Sequence, residues 1–189
     1  MIALLVVLCE VAFWVLLAAG LALRYVARKP RLGAAVLLCE PLLEVVLLVV
    51  TAIDLKNGAE PDWKHGLAAV YIGFTVGLGH HTIKKVDAWV AHRWFGGPAP
   101  AKPPKYGMAR AVHEWRTAAR WILAAVVAAG LLQAAIWYVG SGEISSLRNW
   151  QQKMGLVIVI NLIIAGGYTV WPKQAPKDAV TDREPADRF

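Results

Sequence analysis

Apolar runs close to twenty residues long recur through this chain, and a run of that length has the size of a membrane-crossing helix. Four of them are long enough to cross a bilayer and a fifth is shorter. The expected fold is therefore all-α: a polytopic integral membrane protein, folded as a five-helix transmembrane bundle. The spans fall at about 1–23, 33–53, 63–85, 118–140 and 150–171. With a basic amphipathic hairpin at about 86–117 they make one transmembrane domain over residues 1–172. A charged, proline-containing tail, 173–189, follows and is expected to be flexible and cytoplasmic.

Composition agrees with this reading. Hydrophobic residues make up 58% of the chain and charged residues 17%, below the ~25% usual in soluble domains. The net charge of +7 would suit nucleic acid, but the basic residues stand at the ends of apolar runs. Lipid headgroups and topology explain them better, and no nucleic-acid partner is expected. Cys9 and Cys39 lie inside apolar runs near opposite membrane faces, so they read as small hydrophobes rather than a disulfide.

Charge also orients the bundle. No basic residue precedes the first apolar core, and Arg24, Arg28, Lys29 and Arg31 follow it directly. That is the reverse of a cleavable signal and fits an uncleaved anchor with its N-terminus outside. With five crossings, sixteen of the twenty Lys and Arg residues fall inside; Lys56, Lys64, Arg148 and Lys153 fall outside. The positive-inside rule then places the C-terminus in the cytoplasm and the protein in the plasma membrane as a multi-pass protein.

The most informative single stretch is His65 to Lys85, HGLAAVYIGFTVGLGHHTIKK. Gly66, Gly73 and Gly77 form a stripe on one helix face, and Gly73-x-x-x-Gly77 is a small-residue packing motif. His80 and His81 follow one turn later. In the second span Glu40 and Glu44 are four apart and share a face. Pro41 between them withholds a backbone donor from the Leu37 carbonyl, so a mild kink is expected there.

Carboxylates and imidazoles in hydrocarbon are costly unless used or satisfied. Helical rise brings Glu40 and the histidine pair to similar depth, with Glu44 one turn further out and Glu10 descending from the other side. A ladder of Glu10, Glu44, Glu40 and His80 or His81 would relay protons or hold a divalent cation, the histidine titrating near neutrality. Glu40, Glu44, His80 and His81 are the candidate metal ligands, and a divalent metal is the cofactor the pattern leaves open. In the plainer alternative, Glu40 neutralises Lys84 or Arg28 and the histidines bond carbonyls at headgroup level. Adjacent histidines project about 100° apart, so one of them at most faces a given site.

Catalytic signatures are missing. There is no H-E-x-x-H, G-x-S-x-G or P-loop pattern, and no facing pair of mid-membrane histidines for a haem. Gln133 and Asn161 are expected to bond each other as packing glue between the last two spans. Ser145 and Ser146 are candidate caps for the last helix. The leading expectation is a transport-type protein or proton/cation relay. The alternatives are a non-catalytic membrane subunit or scaffold that assembles with a partner, and an intramembrane metal-binding protein. Expected partners are the bilayer itself, anionic headgroups on the cytoplasmic side, and a second copy or another membrane protein.

Overall fold

A computed structural model of the chain describes residues 2–59, 64–140, 144–172 and 174, with backbone alone for residues 2–7, 9, 10, 64 and 65. All regular structure among the described residues is helical. Helix α1 (Ile2–Leu21) runs into a π turn at Ala22–Val26. The chain reverses at Arg28, which takes a left-handed φ of 54°, and Pro30 occupies the first position of α2 (Pro30–Leu37). Proline suits that position, because its missing N–H has no partner in a first turn anyway. Helix α3 (Cys39–Lys56) continues α2 after a break at Leu38. The break lies three residues before Pro41, where the Leu37 carbonyl lacks its donor.

Helix α4 (Lys64–Phe74) passes through a π turn at Thr75–Gly79 into α5 (His80–Phe95). Gly96, left-handed at φ 65°, ends α5, as glycine does at a helix C-terminus. Helix α6 (Gly107–Val139) has 33 residues and α7 (Ser145–Val170) has 26. At 1.5 Å per residue α6 is about 50 Å long, well beyond a hydrocarbon core of about 30 Å. Residues 107–117, the second amphipathic stretch of the hairpin, are the first turns of α6.

Helix α6 is the central strut. It packs against α7, α4 and α3, while α1 packs on α2 and α3. The core joins Leu48, Ala52 and Leu55 of α3, Ala68, Ala69 and Ile72 of α4, and Ala125, Ala128 and Leu132 of α6. Close approach comes from small residues. A Cβ at Gly73 would collide with the Ala124 carbonyl, one at Gly77 with the Arg120 carbonyl, and one at Gly66 with the Trp150 ring. Between α1 and α2 a Cβ on Gly33 would lie 2.7 Å from the Gly20 carbonyl, so this pair makes the first hairpin.

Three helices among the described residues are long and apolar enough to cross a membrane: Pro30–Lys56, Gly107–Val139 and Ser145–Val170. Large apolar side chains face outward along them, among them Trp137, Ile163 and Leu42, which is the coat expected where lipid is the solvent. The last helix, short by sequence, begins earlier than expected. The Arg148 N–H already bonds the Ile144 carbonyl at 3.0 Å. Ile144 is therefore the cap, Ser145 and Ser146 lie inside α7, and no side chain caps it.

The expected Gln133–Asn161 bond does not form. Gln151 donates to Gln133 at 2.8 Å, and Asn161 donates to the Val157 carbonyl at 2.8 Å. The reason is register. In an antiparallel pair Gln133 lies six residues before the end of α6, level with Gln151 six residues into α7; Asn161 lies about 15 Å further along. Residues 60–63, and the tail from Lys173 apart from Gln174, lie outside the described residues.

Candidate functional site

The buried stripe of α3 is Glu44, Leu48, Thr51, Ala52 and Leu55, a spacing of three and four that puts all five on one face. Glu44 therefore sits where the helix period demands an apolar residue, and it is 6% exposed. Glu40 is one turn before it on the same face, partly buried. Glu40 Oε1 and Glu44 Oε2 are both buried, and among the described residues neither has a hydrogen-bond partner. Native proteins satisfy most such atoms, so two on one helix face need an explanation.

Glu40 lines a cleft of about 270 Å³ between α1, the α2–α3 junction and the start of α5. Its walls are largely apolar, with Leu17, Leu21 and Leu37 on one side and Phe74 and Ile83 on the other. Arg24 and Tyr25 line it too. The Arg24 guanidinium grips Asp87 of α5 with both arms: Nε donates to Oδ1 at 2.8 Å, and an Nη donates to Oδ2. The Tyr25 hydroxyl donates to Oδ1 at 2.8 Å. This fork is the strong form of an ion pair, and its hydrogen bonds hold the Asp87 carboxyl below the usual carboxylate range.

The other expected residues are placed as follows. The His80 side chain is exposed. His81 does not line the Glu40 cleft; it lines a second one, of about 380 Å³, between α5 and α6. The side chain of Glu10 lies outside the described residues, although its backbone is part of α1. Glu40 forms no ion pair with Arg28 or Lys84. Arg28 instead lies over the Phe95 ring, 5.4 Å from its centre. Glu40, Glu44, His80 and His81 do not assemble as a metal site: among the described residues no three His, Cys, Asp or Glu side chains come together in that way. Cys39 is exposed, its thiol directed to the Ala35 carbonyl at 3.5 Å.

Sequence reasoning missed the Arg24–Asp87–Tyr25 cluster. A signal was present: Asp87 is the single acid between Asp62 and Glu114, in a strongly basic stretch. It also missed the Gly20–Gly33 contact, since neither glycine belongs to a spaced motif.

An all-helical architecture with membrane-length apolar helices, an outward apolar coat and carboxylates held inside it defines a small membrane protein. The chain is 34% identical over 180 residues to the uncharacterized membrane protein YmcC of Bacillus subtilis (strain 168), across 94% of this chain and 96% of that protein. It belongs to the YmcC family of membrane proteins. No family model matches the chain, and no solved structure matches it.

Proposed function

We propose that the protein is a five-span plasma-membrane protein, N-terminus outside and C-terminus cytoplasmic, that passes protons or small cations along Glu40 and Glu44. The observation that carries this reading is the pair of buried carboxylate oxygens without a partner, one turn apart on α3. A carboxylate in hydrocarbon is stabilised by a proton or a cation, and such groups mark ion and proton paths. The cleft beside Glu40 supplies a route from the basic end of the bundle, with Arg24 and Tyr25 at its edge.

Glu10 is the outer station in this scheme. Gly20 abuts Gly33 and Leu37. Ten residues back along antiparallel α1 is about 15 Å outward, roughly the level of Glu44. The histidines drop out of the path, since His80 points outward and His81 lines the other cleft. The charge bias of the loops supports the orientation.

Flux through proteoliposomes tests the reading. A pH or cation gradient should dissipate faster with the protein than without it. Glu40→Gln and Glu44→Gln should each return the rate to that of empty liposomes, with thermal stability equal to or above that of the parent. Flux unchanged in the double variant rejects the relay. So does a parent protein no faster than empty liposomes, which leaves a membrane subunit without transport.

A further inference from the structure

The cleft between α5 and α6 has a chemistry of its own. Three basic side chains line it: His81 and Lys85 from α5, and Arg120 from α6. Among the described residues no carboxylate lines the cleft. Among the described residues neither Lys85 nor Arg120 has an acidic partner. The nearby acids are engaged elsewhere, Asp87 by Arg24 and Glu114 by Arg110.

The backbone explains the opening. At Gly77 the chain touches the Arg120 carbonyl of α6. Beyond that contact the π turn ends and Asp87 fastens α5 to Arg24. Helix α5 accordingly makes no extended packing with α6, and the cleft lies between them. Its floor is apolar. Leu78 is buried there, and Trp121 stands edge-on to Phe74 at 6.1 Å between ring centres. Both aromatic rings are also exposed at the surface.

We infer that this cleft binds the phosphate group of an anionic phospholipid, with Arg120, Lys85 and His81 around the phosphate and an acyl chain along Phe74 and Trp121. Guanidinium and ammonium groups suit phosphate oxygens through charge-assisted hydrogen bonds. A tryptophan beside basic residues is the usual neighbour of a headgroup. The apolar floor favours a lipid over free phosphate, which would leave that floor unused. This inference does not depend on the Glu40 and Glu44 reading, because the two clefts have no charged residue in common.

Native mass spectrometry of the purified full chain in detergent tests it, with dioleoyl phosphatidylglycerol, dioleoyl phosphatidylcholine and inorganic phosphate as probes. The parent protein should retain phosphatidylglycerol in preference to phosphatidylcholine. Lys85→Gln and Arg120→Gln should each weaken that preference about fivefold, as expected for one basic contact at a membrane surface. Arg31→Gln, an exposed position on α2 outside the cleft, should leave it unchanged. Equal loss in all three variants would mean a diffuse surface charge effect and overturn the site. Inorganic phosphate that competes off the lipid would reassign the cleft to a free anion. Lys85 is exposed, so its variant keeps the test valid even if Arg120→Gln fails to fold.

Discussion

Asp87 accepts hydrogen bonds from both Arg24 and Tyr25, which joins the end of α1 to the middle of α5 across sixty residues of chain. Its carboxyl is held below the ordinary aspartate value of 3.8. A depressed folded value adds stability that is complete above the unfolded value and disappears as pH falls through the folded one. Asp87→Asn should therefore lower the thermal midpoint at pH 7, by a stability loss on the order of 1 kcal/mol, the upper end for a partly exposed pair. The midpoints of parent and variant should converge below about pH 3.8. Scanning fluorimetry in detergent across that range would read it; a gap that persists in acid would show that the pair contributes through packing rather than charge. At this scale the sequence was only partly legible. The spacing of Glu40 and Glu44 puts them on one face, and α3 has them there. Nothing in the local pattern says that Asp87 reaches back to Arg24, because that contact depends on how two hairpins meet.

Helices α4 and α6 meet through glycine rather than through interlocked large side chains. Added carbon at Gly73 or Gly77 would strike main-chain carbonyls of α6, which cannot swing aside as a side chain can. Gly73→Leu and Gly77→Leu should each destabilise the protein by about 1–3 kcal/mol, the usual range for overpacking. Gly130, also in α6, has open space around it. Gly130→Ala should be neutral or stabilising by up to about 1 kcal/mol through helix propensity. Thermal unfolding of the three variants in one detergent would compare them directly, and a destabilised Gly130→Ala beside a neutral Gly77→Leu would contradict this packing. Element ends were the least legible level. Apolar periodicity locates a span but not how far its helix continues into polar sequence; the two amphipathic stretches of the hairpin are helical extensions of the spans beside them, α5 and α6. The partner of Gln133 was misjudged for a related reason: register along α7 follows from where the preceding loop ends.

For the molecule as a whole, charge asymmetry carries the expectation about orientation. A periplasmic reporter enzyme fused after Phe189 should be inactive and a cytoplasmic reporter active, with the reverse pattern for fusions after Gly58, in the turn that follows α3. Matching activity at both points would imply an even number of crossings between them and require a different span count. The glycine stripe and the charge distribution are properties of short stretches and could be read from them. The two clefts could not, since each is bounded by helices far apart in the chain.

Phe74, Thr82 and Val86 border both openings, so one helical segment serves as a common partition between the largely apolar cleft that holds Glu40 and the basic one. A bulkier or smaller side chain at Thr82 or Val86 would therefore change the size of both clefts at once. Two chambers with different charged groups thus have one wall in common.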